Sequence, residues 1–241
     1  MFGLQGMKMY VCVYERMIPE EDKDYNFDDE DITFVMHTYQ DAKRADWALS
    51  NLRKHYPRSR VIVIVDGDPD PLPDTFVEKY GVELQRTDRL MLLENGAAYL
   101  LNRMEQFLKK PTKYMIKIDT DTGFHRRFKY MPKYDVFGCV LYLGTSGPHT
   151  IRGGFYGFSG DAIKEIYESD VFSSPDLDIT EWYTRRKGDV KLLEEDTTML
   201  EACYLLGLEI GPFPEVRNTN WYRPNRGLRY AVTHPCKEFK L

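Results

Sequence analysis

From Ile32 onward the apolar residues fall into two alternating spacings. Ile32 to Met36 is a compact, mostly apolar run that predicts a strand ending at His37-Thr38-Tyr39. Ala45, Ala48, Leu49 and Leu52 then recur three and four apart, as on one helix face, and Pro57 stops that helix. Val61 to Val65 is apolar at every position and predicts a strand covered on both faces. It breaks at Asp66-Gly67-Asp68-Pro69-Asp70-Pro71, a dense turn signal. Val82 to Leu84 predicts a third strand. Ala97, Leu100, Leu101, Met104, Phe107 and Leu108 line one face of a long helix, with Pro111 beyond it. Tyr114 to Ile118 predicts the next strand, which runs into Asp119-Thr120-Asp121.

This β-α-β-α-β order predicts an α/β fold, a mostly parallel sheet covered by helices. In such sheets ligands gather beyond the carboxyl ends of the strands. Three polar clusters fall there: His37 to Tyr39, Asp66 to Asp70, and Asp119 to Asp121. The second half is less regular. Val136 to Leu143 and Phe155 to Ser159 predict strands, Leu192 to Leu206 a helix closed by Gly207, and Ala231 to Thr233 a short terminal strand. Gly211 to Gly227, rich in Pro, Asn, Arg and aromatics, reads as a long loop of the kind that is often functional. Residues 1–31 read as an acidic N-terminal extension. There a short apolar piece, Met9 to Tyr14, leads into Glu20, Glu21, Asp22, Asp24, Asp28, Asp29, Glu30 and Asp31, a run expected to be a solvated, mobile connection.

Composition narrows the function classes. A chain of 241 residues, 42% hydrophobic, has material for one sizeable core. A formal charge of -5 argues against a protein built to wrap nucleic acid. No apolar run approaches the roughly 18 residues of a membrane span. Cys12, Cys139, Cys203 and Cys236 lie far apart, without a CxxC pair, so neither a disulfide scaffold nor a cysteine zinc site is indicated. Met1 to Met17 lacks a signal-peptide centre, and a reducing, cytoplasmic setting is expected.

The chemistry centres on Asp119 and Asp121. In extended backbone, residues two apart project to one face, so two hard carboxylates can converge on one Mg2+ or Mn2+. Such an ion keeps open positions for phosphate oxygens and offsets charge on a departing diphosphate. An isolated Asp-x-Asp is as readily a solvated turn. Its position directly after an apolar strand favours the metal.

The segments YMIKIDTDTGF, IRGGFYGFSG, LLEEDTTML and THPCK, in that order and spacing, resemble a nucleotide-sugar-dependent glycosyltransferase of the GT-A fold, over Ile32 to Lys237. The resemblance implies one domain over residues 32–241 with a Rossmann-like, mostly parallel mixed sheet. A nucleotide-binding part would cover about residues 32–122 and an acceptor part about residues 123–241. It also implies that Asp119 and Asp121 hold Mn2+ or Mg2+ on the donor diphosphate, with His234 completing the set. Neutral imidazole suits Mn2+ better than Mg2+. Lys237 would meet a phosphate, and Thr120 counts among the donor-binding residues.

Gly153 and Gly154 would wall the donor-sugar and acceptor pocket, since glycine lets backbone approach a ligand closely; a bulge is the bland alternative. In inverting members a carboxylate base lies in a Glu-Asp segment, which maps to Asp196 first and Glu195 second. A helix cap would explain the same residues. Thr38 and Tyr39 would hold and stack the base, and Asp66 would accept the imide hydrogen bond of uracil. His125, Arg126, Arg127 and Lys129 follow the aspartates and read as phosphate ligands or as a solvated loop. Trp182, Trp221, Tyr222, Arg223 and Arg226 would supply aromatic faces and donors for an acceptor groove, with some of the aromatics expected in the core instead.

The resulting expectation is metal-dependent, inverting transfer of a sugar from a UDP-sugar to a hydroxyl acceptor, a glycan or another alcohol, with no nucleic-acid partner and no membrane span. Two alternatives share the residues. In a haloacid-dehalogenase-like phosphatase Asp119 would be the nucleophile, although that motif usually opens its fold and here follows two strand-helix units. A carbohydrate-binding relic without turnover is the other.

Overall fold

The computed structural model describes residues 20–67, 72–90, 96–142, 149–177, 195–218 and 230–234. The strands are β1 (Ile32–Thr38), β2 (Arg60–Asp66), β3 (Glu83–Thr87), β4 (Tyr114–Ile118), β5 (Gly123–Phe124), β6 (Val136–Tyr142), β7 (His149–Ser159), β8 (Ile210–Pro212), β9 (Val216–Asn218) and β10 (Val232–His234). The α-helices are α1 (Ala42–His55), α2 (Thr75–Tyr80), α3 (Gly96–Leu108), α4 (Gly160–Glu168) and α5 (Glu195–Leu205).

Seven strands form one sheet in the order β8-β6-β7-β4-β1-β2-β3. The pairs β4–β1, β1–β2, β2–β3 and β8–β6 are parallel, whereas β7 runs antiparallel to both β4 and β6. The chain is thus an α/β protein built on a mixed, mostly parallel sheet flanked by helices. Every residue of β1 is buried, because apolar layers cover both faces. On one face Phe34, Met36, Ile116 and Ile118 pack against Ala45, Leu49 and Leu52 of α1. On the other Val35, Ile64, Met115, Tyr156 and Phe158 pack against Leu100, Met104 and Phe107 of α3 and Met199 of α5. Strand alternation therefore sends Ile116 and Ile118 to the α1 side, and Met115 and Lys117 to the α3 side.

Three expectations change. β7 begins at His149 rather than Phe155, since its first residues pair with Val140 to Tyr142 of β6 past an irregularity. The expected loop from Gly211 contains strand: Ile210–Pro212 extends the sheet beside Val136 to Gly138, and Val216–Asn218 pairs with Val232–His234. Pro212 is tolerated because β8 is an edge strand. Residues 219–227 lie outside the described part, as does the start of the helix expected from Leu192.

The third change concerns the acidic run. Lys23 and Asp24 pair antiparallel with Pro132 and Met131. The Asp24 carboxylate accepts hydrogen bonds from the Tyr114 hydroxyl at 2.6 Å and from the Lys113 ammonium. Asp29 is fully buried and accepts from the Arg58 backbone N–H at 2.8 Å and its guanidinium at 2.9 Å. Burial alone would raise both carboxyls, and these hydrogen bonds outweigh it and hold both below the usual range. Two of its acids, Asp24 and Asp29, dock the segment from Glu20 to Asp31, while Glu20, Glu21, Asp28 and Glu30 stay exposed. Among the described residues no helix is long and apolar enough to cross a membrane.

Candidate metal site

Beyond β4 the chain turns at once. The Asp119 N–H donates to Thr122 Oγ1 at 3.1 Å, and the Thr122 N–H donates to the Asp119 carbonyl at 3.1 Å. Asp119 and Asp121 therefore converge through a turn, not through the extended alternation that their spacing suggests. The Thr120 hydroxyl donates to Asp41 Oδ2 at 2.7 Å, tying this turn to the start of α1. That bond engages Thr120 with the protein rather than with a donor.

His234 arrives from the opposite end of the sequence. It ends β10, which hangs on β5 and β9. Its Nε2 lies 3.2 Å from Asp119 Oδ2 and 2.9 Å from Asp121 Oδ1. One ligand atom from each of the three residues lies within 4.8 Å of the others. A Cβ on Gly154 would overlap the His234 ring, so glycine is what admits the imidazole against β7. The Gly154 carbonyl also accepts from the Asp119 N–H at 3.2 Å. Burial would lower the His234 pKa, but its bonds to Asp119 and Asp121 prevail and push it up to about 9. The ring's positive charge thus sits where two carboxylates favour a cation. Two carboxylate oxygens with one imidazole nitrogen suit Mn2+, and also Mg2+ completed by water and phosphate oxygens.

Behind Asp119 lies a buried polar layer on the α3 side. Lys117 Nζ is 2.5 Å from Asp119 Oδ1, donates to the Gly153 carbonyl, and lies 3.9 Å from Glu195 Oε2. Glu195 Oε1 accepts from Arg103 Nη2 at 2.7 Å and from the Tyr156 hydroxyl, and Arg103 also reaches Tyr156. Arg103, Tyr156, Glu195 and Lys117 are all buried. Burial would raise the Asp119 carboxyl, yet the Lys117 charge and the His234 bond hold it below the usual carboxylate range. Glu195, the second choice for the base, has its oxygens on a guanidinium, a phenol and an ammonium inside the protein.

Asp196, the first choice, is half-buried in the first turn of α5. Its Oδ1 accepts from the Thr197 N–H at 3.0 Å, and its Oδ2 lies 3.6 Å from where a Gly153 Cβ would stand. Gly153 and Gly154 thus bring the Asp196 carboxylate and the metal triad to adjacent residues of β7.

The nucleotide end departs further from expectation. Asp66 is 1% exposed, and it accepts from the Leu90 N–H at 2.6 Å and from Arg89 Nη1 at 3.0 Å. It fastens the Arg89–Leu90 segment to the end of β2. Arg89 in turn lays its guanidinium over Tyr39, 3.7 Å from the ring centroid, and Tyr39 is exposed. Thr38 is buried, its hydroxyl without a hydrogen-bond partner among the described residues, so it lies below the surface rather than against a base. His125, Arg126 and Arg127 make internal bonds to Thr233, Glu215 and Asp29, and the Lys129 N–H donates to Glu215. Lys237, Trp182, Trp221, Tyr222, Arg223 and Arg226 lie outside the described residues.

Sequence reasoning missed Lys117, Arg103, Tyr156 and Arg89. The first two had a signal. Lys117 is the one charged residue in the strand Tyr114–Ile118, and Arg103 lies among Tyr99, Leu100, Met104 and Phe107 on the apolar face of α3. His37, read from sequence as part of a polar cluster at the end of the first strand, is buried against Tyr99 at 3.8 Å between ring centroids, with no hydrogen-bond partner for either ring nitrogen among the described residues. The chain matches no protein-family model and no curated protein.

Proposed function

We propose that the chain is a metal-dependent glycosyltransferase that moves a sugar from a nucleoside-diphosphate donor, a UDP-sugar, to a hydroxyl acceptor with inversion. The observation that carries this reading is the convergence of Asp119, Asp121 and His234 beyond the carboxyl end of β4, with Asp196 one glycine away. Ligands of open parallel sheets bind at that end of the strands. The sheet order, with antiparallel β7 inserted between β4 and β6, is in keeping with the GT-A resemblance.

Each residue then has a task. Asp119, Asp121 and His234 hold a Mn2+ or Mg2+ ion, which supplies positive charge to the diphosphate oxygens as the leaving group forms. Asp196 takes the proton of the acceptor hydroxyl as that oxygen attacks the sugar carbon. Glu195, locked to Arg103 and Tyr156, fixes the first turn of α5 and so the approach of Asp196. Gly153 and Gly154 keep the wall between base and metal free of side chains. Arg89, half-buried, paired with Asp66 and stacked on Tyr39, lies beyond the end of β2 and suits a ribose or phosphate of the donor. Buried free thiols at Cys139 and Cys203 accord with a reducing, cytoplasmic setting.

Calorimetric titration of UDP with and without Mn2+ tests the reading. Mn2+ should tighten UDP binding in the wild type and not in Asp119→Ala. Asp196→Ala should bind UDP normally and lose turnover in a donor and acceptor screen. UDP binding that ignores Mn2+ in every variant would overturn the metal assignment. Phosphate release from phosphomonoesters that disappears in Asp119→Ala would replace the reading with a phosphatase. Glycan binding without turnover across donors would replace it with a lectin-like relic.

A further inference from the structure

We propose that Lys117 is a built-in counter-cation that makes the Asp119–Asp121–His234 site accept a divalent ion together with a diphosphate and hold the bare ion weakly. This rests on the metal reading above and adds to it a rule for the order in which charge enters the site.

Charge in the buried layer is almost, but not wholly, balanced by close pairs. Arg103 and Glu195 form a 2.7 Å pair and cancel one another. Lys117 is 3.9 Å from Glu195 but 2.5 Å from Asp119 Oδ1, so its principal counter-ion is Asp119. The Gly153 carbonyl accepts one of its protons and fixes the ammonium there. Lys117 is 3% exposed, and neither salt nor water can screen it as they would a surface lysine. One of the two oxygens of Asp119 is therefore already committed to a positive charge. Among the described residues, Asp121 faces no cation other than the His234 ring.

Consider a divalent ion arriving alone. It meets an aspartate that is already neutralised, and an ammonium that repels it at short range in a medium of low dielectric constant. A diphosphate alone meets the carboxylates and is repelled as well. Arriving together, the diphosphate supplies the negative charge that Lys117 has taken from Asp119, and the ion supplies the positive charge the carboxylates need. By reciprocity, each ligand must then raise the affinity of the other by the same factor. A lysine that served only to hold Asp119 in place would act in the opposite direction, since removing it would loosen a ligand and weaken the bare ion.

The test is a titration of MnCl2 into the wild type, Lys117→Met, Lys117→Arg and Asp119→Asn, with free Mn2+ followed by electron paramagnetic resonance. It is performed with and without UDP, and needs no turnover. In the wild type, Mn2+ alone should bind weakly and UDP should tighten it. Lys117→Met should bind bare Mn2+ about tenfold more tightly than wild type, with the gain from UDP reduced. Lys117→Arg, which keeps the charge, should resemble wild type.

Bare Mn2+ binding no tighter in Lys117→Met, with Asp119→Asn weakened, would overturn the role of Lys117 and leave the metal reading standing. Mn2+ binding that Asp119→Asn does not change would remove the metal reading and this inference with it. Should Lys117→Met not fold, the wild-type cycle still decides: equal Mn2+ affinity with and without UDP overturns the proposal.

Discussion

Gly154 and His234 occupy one volume between them: any Cβ at residue 154 would overlap the imidazole that lies between Asp119 and Asp121. Two residues 80 positions apart are thereby made interdependent. Gly154→Ala should push the ring off the carboxylates and weaken Mn2+ binding in the presence of UDP by roughly 10–100-fold, the range seen when a ligand loses its support. Overpacking of β7 should cost about 1–3 kcal/mol of stability as well. Paired Mn2+ titrations and urea unfolding check both figures. A Gly154→Ala protein with wild-type Mn2+ affinity would show that His234 is no ligand.

Arg103 and Glu195 give a different kind of prediction, because their pair is buried and one partner cannot be removed alone without leaving a charge behind. Glu195→Ala should destabilise the protein by about 3–5 kcal/mol, with Arg103 uncompensated in the core. Asp196→Ala, one residue on and half-buried, should cost no more than about 1 kcal/mol and act on turnover instead. Chemical denaturation of the two variants measures the contrast. Equal losses would mean that Asp196 is as structural as its neighbour.

Those pairings also mark what the sequence could tell. Most strands and helices of the first half were legible from spacing; the short helix α2, Thr75–Tyr80, between the Asp66–Pro71 turn and β3, was not. Val61 to Val65 is buried on both faces, and Ala45, Ala48, Leu49 and Leu52 are the buried side of α1, as their pattern implies. Asp119 and Asp121 were legible because an acidic pair follows an apolar strand, and His234 because it stands in a motif of matching order. The support behind them was not. Arg103 meets Glu195 across 92 residues, and Lys117 meets Gly153 across 36, so no local pattern encodes either contact. The acidic run misled for a related reason. Asp24 and Asp29 look like their solvated neighbours until Lys113, Tyr114 and Arg58 are brought to them by the fold. Asp66 was legible as a strand-end acid but not as the anchor of Leu90.

Asp24 should make the docking of the N-terminal segment pH-dependent. Burial would raise its carboxyl, but the Lys113 and Tyr114 hydrogen bonds hold it below the ordinary 3.8. A depressed carboxyl contributes stability in full above pH 3.8 and loses it as pH falls through the folded value. Asp24→Asn should therefore lower the melting temperature at pH 7, by the equivalent of about 1–3 kcal/mol. The difference from wild type should shrink towards pH 2. A difference that stays constant across that window would show that the segment is held by the backbone pairing of Lys23 and Asp24 with Pro132 and Met131 rather than by the carboxylate.

His37 should act in the opposite part of the acid range. Burial, then the nearby charges of Arg103 and Lys117, hold its pKa well below the ordinary 6.5, so the folded protein keeps a neutral imidazole. The unfolded chain protonates that ring as pH falls below 6.5. The native state must then lose stability at up to about 1.4 kcal/mol per pH unit until its own, much lower pKa is reached. His37→Leu removes both the titration and two buried ring nitrogens that lack partners among the described residues. The substitution should accordingly flatten the stability profile between pH 6.5 and 4.5, with the variant gaining on wild type as acid is added. Urea denaturation at half-unit pH steps gives the two slopes. Parallel profiles would mean that the His37 ring is solvated and protonated in the folded state, and that the layer beneath α3 is open to water.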